Sequence, residues 1–255
     1  MIRTLRLPSY LKPVYETDLI RVGQKKDGGY LIPKKSLEFT KILYSFGLEA
    51  DWSFEEDFFK RTKSTIYCYD HTVNFKFFVK LFLGNPETVL KFFQYKKFFD
   101  KKSKFHVRKK ICPTSDFAPN LTKNSLADLN SIMKPNTSKE FFLKIDIEGS
   151  EYRILDQIMN FAPSLNTLVI EFHDCDLHFE KIKNFINNFR LQLVHIHANN
   201  FSLINSDNCP RAVELTFCTK EFTKNSINEN KKFPTLLDVP NNQLYPDLPI
   251  MFYND

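Results

Sequence analysis

The stretch that most constrains the fold is Phe141-Phe142-Leu143-Lys144-Ile145-Asp146-Ile147-Glu148-Gly149-Ser150-Glu151-Tyr152. A short apolar run meets two carboxylates, then a glycine, then a helical pattern. An uninterrupted run of this length reads as a strand buried on both faces, as in a parallel sheet. Gly149 marks the turn out of it. Ser150 or Gly149 can cap the next helix, and Glu151 suits its first turn, near the positive dipole end. Ile154, Leu155, Ile158 and Phe161 then recur at helical spacing. Asp146 and Glu148 therefore fall at the carboxyl end of a buried strand, where open α/β sheets place their ligands. Two carboxylates there are costly unless they hold a ligand, a metal or a proton.

Other segments repeat the strand-then-helix grammar. Leu19 to Pro33 holds two apolar stretches around Asp27-Gly28-Gly29, which predicts a hairpin. Three of the chain's 6 glycines lie there, so close approach of backbone to a ligand is a second reading. Ile42 to Phe46 reads as a strand, Gly47 as a turn, and Ser53 with Glu56 has capping-box spacing for a helix. A strand–glycine–helix entry is where nucleotide cofactors meet a Rossmann-like sheet. Ser64 to Tyr69 is a second strand. It ends in Asp70, roughly 20 residues after Gly47, the spacing at which an acid accepts from ribose hydroxyls. Residues 74–100 are dense in Phe and Lys, and Pro86 splits them into two helices, read here as a lid. Lys104 to Ile111 is a third strand. Asn166 to Asp174, Leu191 to Asn200 and Ala212 to Cys218 are the last three, with a helix over 177–189. The order predicts a seven-stranded, mostly parallel, doubly wound α/β sheet ending on an antiparallel strand. One domain spans 1–255, with an N-terminal arm and hairpin over 1–40 and a tail over 233–255. The first residues read as a loose arm, and the proline-bearing tail as a surface wrap.

Composition narrows the function classes. At 255 residues and 42% hydrophobic, the chain can bury a full core. No apolar run is long enough to span a bilayer, and residues 1–8 lack the apolar stretch of a signal peptide. The 5 cysteines are scattered and form no CxxC pair, so a reducing, cytoplasmic setting is expected. A net charge of +6 suits phosphate-bearing small substrates as well as nucleic acid.

Ser45-Phe46-Gly47 with Asp51-Trp52-Ser53-Phe54, then Tyr69-Asp70, then Leu143 to Glu151, resemble the FkbM-type S-adenosylmethionine-dependent methyltransferases. Asp27-Gly28-Gly29-Tyr30, Glu171-Phe172-His173 and His195 to Asn200 look like a methyltransferase-like branch of that family. The resemblance covers roughly residues 20–220 and implies a Rossmann-like, class I methyltransferase fold. It implies S-adenosylmethionine as cofactor, held by Tyr30, Ser45, Gly47, Asp51, Ser53, Asp70, Asp116 and Asp146. Gly47 would pass under the methionine part, Asp70 would hold the ribose, and Asp116 would touch the adenine. Such turns carry a second glycine two residues on; here that position is Glu49.

Methyl transfer to a hydroxyl needs an aligned nucleophile and a way to remove its proton. Asp146, Glu171, His173, His195 and His197 are what the sequence can bring to neighbouring strand ends. Glu171 and His173 share a strand face by period two, as do His195 and His197. A carboxylate–imidazole cluster suits Mg²⁺ or Mn²⁺, and Asp146, Glu171 and His173 are the candidate ligands. The metal-free alternative makes a histidine the general base. The catalytic candidates are Asp146, His173 and His197. Against these stand plainer readings: His195 and His197 as satisfied strand histidines, Glu171 bridged to Lys144, Glu148 and Glu151 holding a turn. The expected reaction is O-methylation of a sugar or nucleotide-linked sugar for surface glycan synthesis. Methylation of RNA is the alternative, drawn from Lys60, Arg61, Lys63 and Arg108-Lys109-Lys110. A non-enzymatic membrane-surface module built on the Phe-rich segment is the third reading.

Overall fold

Every residue of Phe141–Ile145 and of Leu165–Phe172 is buried, as a run covered on both faces requires. Both are interior strands of one sheet. The computed structural model describes residues 3–113, 125–133, 138–224 and 226–254. In chain order the strands are β1 (Leu5–Pro8), β2 (Leu19–Val22), β3 (Tyr30–Pro33), β4 (Ile42–Phe46), β5 (Thr65–Tyr69), β6 (Lys104–Val107), β7 (Lys110–Ile111), β8 (Leu126–Ala127), β9 (Phe141–Ile145), β10 (Leu165–Phe172), β11 (Gln192–Ala198), β12 (Val213–Cys218) and β13 (Ile250–Tyr253). The helices are α1 (Ser36–Phe39), α2 (Ser53–Thr62), α3 (Phe75–Gly84), α4 (Val89–Phe98), α5 (Leu129–Ile132), α6 (Leu155–Phe161) and α7 (Phe179–Asn188).

Seven strands form the sheet in the order β11-β12-β10-β9-β4-β5-β6. β4, β5, β6, β9 and β10 pair in parallel, while β12 runs antiparallel to both its neighbours. This is the Rossmann-like doubly wound sheet that the element order predicts, with its one reversed strand. Alternate residues of β9 feed two apolar layers: Phe142 packs with Phe54 and Phe58 of α2, while Leu143 and Ile145 pack with Ile158 of α6 and Ile182 of α7. Because β4 and β9 are central neighbours, their carboxyl ends, Phe46 and Ile145, stand side by side. The residues that follow each strand are thereby placed at one edge.

Two expectations change. The N-terminal residues are not a loose arm: β1 pairs in parallel with β13, and Leu5, Leu7 and Leu11 are fully buried. The partner strand lies at the opposite end of the sequence, so no local pattern announces it. The α2 start is capped by Asp51, which accepts from the Ser53 backbone N–H at 2.9 Å and from its hydroxyl at 3.1 Å. The Ser53–Glu56 spacing thus marks the right place through a different acceptor. Pro86 does separate two helices, α3 and α4, as expected.

Candidate active site

A cavity of about 440 Å³ opens at the carboxyl ends of β4, β5 and β9. Gly47 forms its floor. At φ +84, a Cβ on residue 47 would lie 1.6 Å from the Asp146 carbonyl oxygen, so only glycine fits between the two strand ends. Glu49, two residues on, takes φ +46, the left-handed conformation a glycine would adopt without strain. Asp70 fastens this loop. Its Oδ2 accepts from the backbone N–H groups of Leu48 at 2.9 Å and Glu49 at 3.0 Å. Its Oδ1 accepts from the Thr72 N–H at 2.7 Å and hydroxyl at 2.6 Å. Burial alone would push the Asp70 carboxyl up, but these four donors hold it below its ordinary value. Seven carboxylates line the cavity, those of Asp27, Glu49, Asp51, Glu55, Asp70, Asp146 and Glu148. Burial raises the pKa of Asp27, Glu49 and Glu148, and neighbouring carboxylates add to the rise.

At the base of the cavity, among its lining residues, lies a buried charged pair, Lys144 and Glu55. Lys144, in the middle of β9, donates to the Gly47 carbonyl at 3.2 Å and lies 3.8 Å from Glu55 Oε1. Ser45 donates to the same Glu55 oxygen at 2.5 Å. Lys144 therefore bridges to Glu55 rather than to Glu171. Ser45 works under the floor and is not among the residues lining the cavity.

Beside the cavity, Asp146, Glu171 and His173 come together. Each offers one ligand atom, and those atoms lie within 4.8 Å of one another. His173 Nε2 is 3.8 Å from Asp146 Oδ1, 3.7 Å from Glu171 Oε1 and 3.6 Å from Glu148 Oε2. These are too long for hydrogen bonds. Each candidate ligand is also held from behind. Tyr30 donates its hydroxyl to Asp146 Oδ2 at 3.0 Å. Asn199 donates to Glu171 Oε1 at 2.8 Å. Glu151 Oε1 accepts from the His173 backbone N–H at 2.7 Å and lies 3.0 Å from Nδ1. Burial would lower the His173 pKa, but the Glu151 hydrogen bond and the charges of Glu171 and Asp146 raise it to about 10. Burial, then Asp146 and Glu214, push Glu171 well up. The cluster is a concentration of negative charge that a cation relieves.

His195 and His197 stand apart from this group. His195 Nε2 lies 2.9 Å from Asp238. His197 has both ring nitrogens engaged, Nδ1 with Glu214 at 3.2 Å and Nε2 with Asp247 at 3.0 Å. Burial would lower its pKa, yet the two carboxylates raise it to about 10. The tail over 233–255 is thus bound into the sheet edge through buried polar contacts and is more than a surface wrap. Asn241 extends this closure, joining Glu214 at 2.7 Å to Asp27 at 2.9 Å.

Of the expected cofactor residues, Gly47, Asp51, Asp70 and Asp146 line the cavity. Tyr30 reaches it through Asp146, Ser53 through Asp51, and Asp116 lies outside the described residues. Glu151, which the sequence places only at the turn, stands behind His173 and is completely buried, unusual for a glutamate at a helix start. No α3 or α4 residue lines the cavity. These helices pack behind the Gly47 loop, with Tyr95 against Trp52 and Lys91 donating to the Ala50 carbonyl at 2.9 Å.

A second cavity, of about 230 Å³, is lined by Glu148, His173, Asp174, Ser202, Leu203, Arg211 and Ala212. Glu148 borders both cavities, so the Asp146–Glu171–His173 group stands where they meet.

No protein-family model matches the chain, and no curated protein does either. Among solved structures, the chain is similar to the precorrin-6y C5,15-methyltransferase of Geobacter metallireducens GS-15, at 12% identity and TM-score 0.37, covering 72% of this chain and 84% of that one. It is similar to M. jannaschii TYW2 in complex with AdoMet, at 12% identity and TM-score 0.36, over 85% and 94% of the two chains. The fibrillarin pre-rRNA processing protein of Methanococcus jannaschii matches at 10% identity and TM-score 0.37, over 82% and 84%. Likenesses this distant leave function to be read from the chain's own side chains.

Proposed function

We propose that this chain is an S-adenosylmethionine-dependent O-methyltransferase of FkbM-like type, acting with a divalent cation on a hydroxyl of a sugar or nucleotide-linked sugar. The observation that carries this reading is the Asp146–Glu171–His173 group at the junction of two cavities, one bordered by the Gly47 turn and Asp70. The larger cavity suits the cofactor. S-adenosylmethionine carries a sulfonium and an ammonium, and a lining with seven carboxylates against three lysines is the counterpart such a ligand calls for. Asp70 shapes the turn through the Leu48 and Glu49 amides. A ribose hydroxyl would reach it by taking the place of the Thr72 hydroxyl.

The smaller cavity suits the acceptor, with Arg211 and Ser202 for polar groups of a sugar. A sugar hydroxyl is a weak acid, and something must take or weaken its proton. Without a cation the surrounding carboxylates keep His173 protonated and so unfit as a base; a cation held by Asp146 and Glu171 would take the place of that proton and free Nε2 to ligate it. The donor set instead fits Mg²⁺ or Mn²⁺: two carboxylates and one imidazole, each oriented by an outer partner. A divalent ion there would supply a Lewis acid that acidifies the acceptor hydroxyl. Glu151 keeps Nδ1 occupied, so that Nε2 faces the cluster. Tyr30 fixes the Asp146 carboxylate between the two cavities.

His197, engaged on both nitrogens, has a structural role in this reading. Calorimetric titration with S-adenosylmethionine tests the proposal. Saturable binding near one per chain is expected, and its absence would remove the methyltransferase reading. Methylation of RNA is the competing reading, and Lys109 and Lys110 at the cavity edge favour it. Tight, salt-dependent RNA binding would promote it over a sugar acceptor.

A further inference from the structure

The α3–α4 hairpin turns an apolar face outward. On α3, Phe75, Val79, Phe82 and Leu83 follow i, i+4, i+7 and i+8 spacing, so they form one stripe. All four are exposed, Phe75 by 66% and Leu83 by 77%. On α4, Leu90 and Phe93, 64% and 63% exposed, share a stripe with Lys97 by i, i+3 and i+7 spacing. Buried Phe78, at the edge of the α3 stripe, with Tyr95 and Phe98 of α4, anchors the hairpin on the protein body. With Val89, seven large apolar side chains are exposed between residues 75 and 93, more than the scatter of single exposed hydrophobics usual on a soluble surface.

Charge says what kind of surface this face fits. Residues 75–99 contain five lysines (Lys76, Lys80, Lys91, Lys96, Lys97) and one acid, Glu87. Five minus one gives +4, out of +6 for the whole chain. Lys76 and Lys80 are exposed one position after Phe75 and Val79, so they border the apolar stripe. A second copy of the chain would bring the same lysines face to face, which is unfavourable. Aliphatic Val79, Leu83 and Leu90 offer nothing for a nucleobase to stack on, whereas they fit an acyl boundary. We propose that the outer face of the α3–α4 hairpin binds an anionic lipid surface: the apolar stripe enters the headgroup–acyl boundary and the bordering lysines meet lipid phosphates and carboxylates. No helix among the described residues is long and apolar enough to cross a membrane, so the attachment is interfacial. Lys91 ties α4 to the loop at the cavity edge, so a bound surface would lie beside the cavity. This inference is independent of the methyltransferase reading.

Vesicle flotation of the full chain tests it, using phosphatidylcholine vesicles with and without phosphatidylserine. Flotation with the anionic vesicles, weakened by salt and near absent with phosphatidylcholine alone, is expected. Leu83→Asp with Phe93→Asp, and separately Lys76→Glu with Lys80→Glu, should each lower partitioning by at least about tenfold. These side chains are exposed, so an unchanged circular dichroism spectrum and melting midpoint should confirm that both variants fold. Should one fail that check, the other decides. No flotation by the wild-type chain, or equal flotation of the folded variants, would overturn the proposal. So would displacement from vesicles by single-stranded RNA with loss of RNA binding in the Phe93 variant, which would assign the face to nucleic acid.

Discussion

His173 and His197 stand at one edge of the same sheet, both among carboxylates, both holding a proton to about pH 10, yet they are built differently. His197 lies 3.0 to 3.2 Å from Glu214 and Asp247 on its two nitrogens, and is 3% exposed. That arrangement is closed: every polar direction is used within the protein. His173 has one close partner, Glu151, and three carboxylates at 3.6 to 3.8 Å on its other nitrogen. That arrangement is open: it gathers carboxylates around a space without joining them. The smaller cavity borders His173, and neither of the two borders His197. The same residue types at neighbouring strand ends thus serve two ends, tying down the tail in one case and presenting donors in the other.

Substitution should separate the two most sharply in stability. His197→Ala leaves buried Glu214 and half-buried Asp247 without the cation between them, and is expected to cost about 3–5 kcal/mol in urea unfolding. His173→Ala should cost less, because Glu151 loses the ring but keeps the backbone N–H of residue 173 as a donor, and no direct bond to Asp146 or Glu171 is lost. Equal losses would erase the distinction. The next effect concerns metal affinity. Glu151→Gln keeps the shape but removes the charge behind His173, and should weaken Mn²⁺ binding by about 10- to 100-fold. His197→Gln should leave that affinity unchanged.

The pH dependence sharpens the comparison further. The His197 pKa rises from 6.5 to about 10 on folding, so its contribution to stability is complete below pH 6.5 and is lost as the pH rises to about 10. Over that window, unfolding free energies of the wild-type chain should fall more steeply than those of His197→Gln, by up to about 1.4 kcal/mol per pH unit. Parallel curves would mean that His197 does not hold its proton. The smallest effect belongs to the exposed hairpin face. Leu83→Ser should change stability by no more than about 0.5 kcal/mol, since the side chain touches little.

The contrast also explains what could be read from the sequence. β9 and β10 were legible because burial on both faces leaves uninterrupted apolar runs, and their order fixed the doubly wound sheet. Asp146, Glu171 and His173 were legible because they follow those runs directly. What makes His197 closed was not: Asp247 is 50 residues away, and Asp238, the partner of His195, is 43 away. The β1–β13 pairing joins the two ends of the chain for the same reason. The sequence offers Glu171 as a partner for Lys144 and does not single out Glu55; only packing places Lys144 and Glu55 together beneath Gly47. Glu151 lay in view but in a position where a plain helix-start role explains a glutamate equally well. Long-range partners decide which acid and which histidine are free to act, and local pattern does not carry that information.

The most direct test is a Mn²⁺ titration of the wild-type chain followed by electron paramagnetic resonance, with Glu171→Gln and His197→Gln in parallel. One saturable site per chain in the wild type and in His197→Gln, lost or strongly weakened in Glu171→Gln, is the predicted result. Absence of a site in the wild type, or equal binding by all three proteins, would contradict a cation held by Asp146, Glu171 and His173.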